Sequence, residues 1–148
     1  MAMQQSTARD EAQIRQRIEQ WGQALYAKDL NTLMSYYAPD ILTFDILPPL
    51  QYQGVEAYRK NFEAWFVGVQ GPIEYETRDL RIVTGEEVAF CHSLNRVRST
   101  RTTGEHTETW VRVTVGFRKI EGTWRITHEH VSVPCDMETS HALLDLQP

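Results

Sequence analysis

Residues 107–133, TETWVRVTVGFRKIEGTWRITHEHVSV, alternate apolar and polar side chains on either side of Glu121-Gly122. A repeat of two marks an extended strand, and a Glu-Gly pair between two such runs marks a hairpin turn. The same period extends back to Gly71. Ile73 to Val83 and Val88 to Thr100 read as strands, with turn signals at Gly85-Glu86 and Thr103-Gly104. Four long hairpin-linked strands predict an antiparallel meander.

Before Gly71 the period is helical. Ser6 or Thr7 with Asp10 and Glu11 starts a helix from about Ala8 to Ala27, in which Ile14, Ile18, Trp21, Ala24 and Leu25 recur on one side. Asp29 caps a second, shorter helix bearing Leu30, Leu33, Met34 and Tyr37, which Ala38-Pro39-Asp40 stops. ILTFDI, residues 41–46, is a short strand ended by Pro48-Pro49. Val55, Tyr58, Phe62, Trp65 and Phe66 then form the apolar face of a third helix, Val55 to about Phe66. Helices first and long strands after predict an α+β fold, a curved antiparallel sheet with helices on one face and a ligand cavity at its open end.

With 148 residues the chain is one domain, its core spanning about 8–134 between flexible termini. Fifteen Lys and Arg against twenty Asp and Glu leave a net charge of −5, which argues against nucleic acid or an anionic membrane as partner. A 41% hydrophobic content rules out disorder for most of the chain. Cys91 and Cys135 form neither a disulfide framework nor a Cys-x-x-Cys pair. The polar N-terminal segment has no signal-peptide core and no apolar run approaches a membrane span, so a cytoplasmic protein is expected.

Strict alternation puts Trp124, Ile126, His128, His130 and Ser132 on one face of the last strand and Arg125, Thr127, Glu129 and Val131 on the other. In the strand before it, Trp110 and Arg112 oppose Val111, Val113, Val115 and Phe117, and either face can be interior. Trp110 and Arg112 are assigned to the cavity because an aromatic beside a fork-shaped cation suits a ligand. The valine face then suits a subunit contact, giving a homodimer through the outer sheet face. His92 is expected to join His128 and His130 inside, while His106 and His141 look solvated. Asp45, in an otherwise apolar strand, is either a base with a raised pKa or a cap of the proline loop. His128 and His130 share a strand face, as metal ligands do, but they lack a third ligand at a defined spacing, so no metal site is predicted. Gly-rich phosphate loops and a GxSxG nucleophile turn are absent, and no cofactor is implied.

The runs WGQALYAKDLNTLMSYYAPDILTFD (21–45), GVEAYRKNF (54–62) and VTVGFRKIEGTWRITHEHVSVP (113–134) resemble the nuclear transport factor 2-like superfamily, closest to its SnoaL-like and ketosteroid-isomerase-related members. The resemblance spans about Ile14 to Pro134. It implies a cone-shaped barrel, a curved antiparallel sheet wrapped around three N-terminal helices, with a deep pocket and often a dimer. It also implies that Asp45 occupies the position of the isomerases' proton-shuttling Asp. Their oxyanion-hole Tyr is replaced by Trp21, and their acid falls near Val115, leaving His92, Arg112 or His128 to supply donors. The expected protein is a small-molecule pocket protein acting as an acid–base enzyme on a small apolar carbonyl or carboxylate compound. Its catalytic residues would be Asp45, His92, Arg112 and His128, and Trp21, Phe44, Trp65, Trp110 and His130 would bind the ligand. The alternative is a non-catalytic module that binds a hydrophobic ligand or only associates as a dimer.

Overall fold

The structure, a computed structural model, describes residues 1–148. Helix α1 (Ala2–Tyr26) begins earlier than the expected Ala8 and buries Asp10, Ile14, Ala24 and Leu25 against the sheet. Helix α2 (Leu30–Met34) is capped by Asp29, whose side chain accepts the Thr32 N–H at 3.2 Å. It ends sooner than its apolar pattern suggests, because Tyr37 already opens strand β1 (Tyr37–Phe44). Pro39 therefore lies within a strand rather than at a helix stop, and the ladder to the neighbouring strand is broken between Tyr37 and Leu42, where Pro39 has no N–H to give. Strand β2 (Tyr52–Gln53) and helix α3 (Val55–Val67) follow. The long strands are β3 (Val69–Thr84), β4 (Val88–Arg101), β5 (His106–Ile120) and β6 (Thr123–Ser132). A two-residue pairing of β7 (Cys135–Asp136) with β8 (His141–Ala142) closes the tail.

The main sheet has six strands in the order β2-β1-β6-β5-β4-β3 and is not closed, with β2 and β3 at its edges. All neighbours are antiparallel except β1 and β6, which run parallel. This makes the fold α+β with helices filling the concave side of a curved sheet. No helix is long and apolar enough to cross a membrane.

Hydrophobicity decides which face of β5 is inside. Val111, Val113, Val115 and Phe117 are all buried, whereas Arg112 and Thr114 are exposed. Burying each of those apolar side chains is worth roughly 1.5–3 kcal/mol, while an inward Arg112 would lose its hydration. The valine face proposed as a subunit contact is thus the interior wall. The outer face carries Arg78 stacked over Trp110 at 4.6 Å and Arg96 bridging Glu76 at 2.9 Å and Glu108 at 3.8 Å.

Two β-bulges reset the alternation. In β6, Ile126 pairs with Phe117 and His128 with the adjacent Gly116, so Thr127 is an extra residue. In β3, Arg78 pairs with Leu94 and Arg81 with His92, and the extra residue there includes Asp79 at φ 57°. Each bulge exchanges the faces of everything beyond it.

Candidate functional site

The bulge at Thr127 turns Glu129 inward. Trp124 and Ile126 are buried before it, and Glu129 is buried after it, 5% exposed. Across the parallel ladder Glu129 pairs with Thr43 of β1, which places Asp45, two residues on, on the same inward-facing side. Two tyrosines converge on the Glu129 carboxylate. The Tyr58 hydroxyl, from α3, lies 2.9 Å from Oε2, and the Tyr37 hydroxyl, from the start of β1, lies 3.3 Å from the same oxygen. Trp21 Nε1–H of α1 donates to the Tyr37 hydroxyl at 2.9 Å. The Tyr58 hydroxyl is also 3.0 Å from Asp45 Oδ2. One phenolic proton thus faces two carboxyl groups.

Burial pushes Glu129 up to about 7, and the nearby charge of Asp45 adds to the rise, against the lowering effect of the Tyr58 and Tyr37 hydrogen bonds. Near neutral pH it exists in both protonation states, as a group that takes and returns protons must. Burial, reinforced by the charge of Glu129, holds Tyr37, Tyr58 and Tyr75 well above the usual phenol range. They act as neutral donors. Glu129 lines a cavity between α1 and the concave sheet face, together with Ile18, Trp21, Tyr75, Cys91 and Val113. The cavity encloses about 40 Å³, space for one or two waters and well below the roughly 300 Å³ at which small-molecule pockets usually begin. Burial raises the Cys91 thiol to about 12, so it sits there as a small neutral group and not as a nucleophile.

Of the residues singled out from the sequence, the structure brings Asp45 and Trp21 to this network. Asp45 Oδ1 caps the proline loop by accepting the Ile46 N–H at 2.7 Å, and its Oδ2 lies 3.0 Å from the Tyr58 hydroxyl. The others lie elsewhere. His92 and Arg112 are exposed on the outer face, and Arg112 Nε donates to Ser132 Oγ at 3.1 Å. Thr127 also carries His128 and His130 to the outer side, where His128 Nδ1 is 2.7 Å from the Leu42 carbonyl and both rings pack edge-on against Phe44. Trp110 is under Arg78 on that same face. Trp65 packs with Phe62 and Phe66 along α3.

Glu129, Tyr37 and Tyr58 escaped the sequence reading, although a signal for Glu129 exists. Apolar residues occupy even positions at Trp124 and Ile126 and odd positions at Val131 and Val133. Such a change of parity inside one strand marks a bulge, and it assigns Glu129 to the apolar side.

Residues 14–136 match the family model of the SnoaL-like domain. An NTF2-like protein of unknown function from Pseudomonas putida KT2440 is 37% identical, with a TM-score of 0.87 over 96% of this chain and 99% of that one. A candidate scytalone dehydratase from Novosphingobium aromaticivorans, 15% identical, superposes with a TM-score of 0.81 over 88% of this chain and 87% of its own. A ketosteroid isomerase-like protein from Erwinia carotovora atroseptica, 20% identical, does so with a TM-score of 0.71 over 82% and 93%. At these identities the latter two share the fold. No curated protein matches the chain.

Proposed function

Since this chain belongs to the SnoaL-like domain family, whose fold also serves proteins described as isomerase-like and dehydratase-like, we propose that it is an acid–base enzyme acting on a small apolar carbonyl or carboxylate compound, with Glu129 as the proton shuttle. The observation that carries this reading is one buried carboxyl on a cavity wall, held by two tyrosine hydroxyls and brought to about 7 by its surroundings. In its ionised form Glu129 takes a proton from carbon next to a carbonyl, and the C–H electron pair moves onto the carbonyl oxygen as an enolate. The same proton is then returned to a different carbon, which is an isomerisation, or to a departing β-hydroxyl, which is a dehydration. Proton removed and proton returned balance, so the reaction needs no redox partner. Asp45 acts through Tyr58 as a positioning residue.

The test is solvent deuterium exchange at the α-carbons of a panel of small ketones, keto acids and enals, followed by proton NMR. Glu129→Gln should slow exchange at least about a hundredfold, the usual yield of a general base. The wild-type rate should rise as pH passes through about 7. Equal rates for wild type and Glu129→Gln would remove Glu129 from the mechanism. No exchange above buffer on the whole panel would favour the second reading, a ligand-binding or association module, which draws on the small enclosed volume of about 40 Å³. Both readings include a homodimer through the outer sheet face, where Phe90 is 47% exposed. Sedimentation showing only monomer would remove that part.

A further inference from the structure

Arg17 of α1 lines the same cavity. Its guanidinium carbon lies 5.0 Å from the centroid of the Tyr36 ring, and the side chain is half-buried. It has no carboxylate partner, and none of its N–H groups meets a protein acceptor. Elsewhere the chain pairs its arginines freely, as in Arg15–Glu11, Arg59–Glu63, Arg98–Glu74 and Arg101–Glu105. Arg9, Arg81, Arg112 and Arg118 also lack carboxylates, but all four are exposed to water. Of the unpaired arginines, Arg17 is the one on the wall of this cavity. A second guanidinium, Arg125, donates to the Ser35 carbonyl at 3.2 Å and is close enough to Arg17 to repel its charge.

A partly desolvated guanidinium with no carboxylate partner, repelled by a second cation on the neighbouring strand, is an arrangement that an anion would relieve, and a guanidinium fork matches a carboxylate in two parallel hydrogen bonds. The rest of the lining is largely apolar, including Leu80, Val115 and Phe117. We propose that Arg17, backed by Arg125, is the anion-binding end of the cavity, and that the ligand is a small apolar monocarboxylate whose carbon body lies between Arg17 and Glu129. This rests on the acid–base reading in taking the cavity as the site, and it names the substrate class of that site. With about 40 Å³ enclosed, a ligand larger than one or two waters must displace the long α1 side chains, Arg17 and Trp21, as it enters.

The experiment compares butyrate and 4-oxopentanoate with the neutral 4-oxopentanamide, titrated into full-length wild type, Arg17→Gln, Arg125→Gln and Glu129→Gln and followed by heteronuclear NMR. The carboxylates should bind wild type at least about tenfold more tightly than the amide, as charge-assisted hydrogen bonds provide, and added salt should weaken them. Arg17→Gln should abolish the preference and Arg125→Gln reduce it. Glu129→Gln should strengthen it, because the variant takes a partly ionised carboxyl out of the same small cavity. Equal affinity for amide and carboxylate, a preference that survives Arg17→Gln, or no carboxylate binding at millimolar concentration would overturn the proposal. If Arg17→Gln does not fold, Arg125→Gln and the salt dependence decide the matter. Carboxylate binding without deuterium exchange would sink the acid–base reading and leave this one standing. Exchange on neutral ketones without carboxylate preference would do the reverse.

Discussion

Tyr58 has one proton and two carboxylate neighbours, so its removal and the removal of one neighbour should move the other in opposite directions. The Tyr58 hydrogen bond lowers the Glu129 pKa and the Asp45 charge raises it. Tyr58→Phe should therefore carry the Glu129 titration above its wild-type midpoint of about 7, and Asp45→Asn should carry it below. Infrared difference spectra of the protonated carboxyl stretch, assigned with Glu129→Gln, report both shifts. Shifts of the same sign in both variants would refute the shared-proton arrangement. Tyr58→Phe should also cost about 1–3 kcal/mol in urea denaturation, because it leaves a buried carboxyl short of a donor. Asp45 was legible in the sequence because a lone acid in ILTFDI stands out from its apolar neighbours. Tyr58 was read as one more apolar residue of a helix face, since nothing local shows where a phenol's hydroxyl will end.

At the scale of elements, the turns and periods were enough to place three helices and four long strands. The interior was misread in β6, where alternation was carried across a bulge without interruption, and in β4 and β5, whose mutual pairing has no bulge, where His92, Trp110 and Arg112 were set inward in place of the apolar face. Both bulges leave the same trace: Ile73 and Tyr75 give way to Leu80 and Ile82, as Trp124 and Ile126 give way to Val131 and Val133. The β3 bulge holds Asp79 at φ 57°, a conformation that short polar residues and glycine accept and β-branched residues resist. Asp79→Gly should change stability by less than about 0.5 kcal/mol, whereas Asp79→Val should lose roughly 1–2 kcal/mol. Denaturant midpoints for the two variants check this. Equal losses would mean that the Asp79 side chain, and not its backbone, sets the bulge.

For the whole molecule, two buried acids pull stability in opposite directions with pH. Glu129 titrates near 7 in the folded chain against an ordinary value of 4.5, so the folded state binds more protons between those values. Its contribution is fully present below about 4.5 and is lost as pH rises through about 7, on the order of 3 kcal/mol. Asp10 behaves otherwise. Burial would raise it, but the hydrogen bonds from Lys119 and Trp124 outweigh burial and hold it below the usual value. Its stabilisation is present above the unfolded pKa and disappears as pH falls through the folded one. Melting temperature should accordingly peak in mildly acid solution and decline towards neutrality, and Glu129→Gln should flatten the decline while sparing the acid limb. A wild-type melting temperature that climbs between pH 4.5 and 7 would show that Glu129 is not buried as an acid. The parallel pairing of β1 with β6 also orders events in time. Leu42 and His128 stand 86 positions apart in the chain, and closing so long a loop is entropically costly and slow. During synthesis β1 must wait for nearly the entire remaining chain before it finds this neighbour. The carboxyl network is thus among the last native contacts a nascent chain can make.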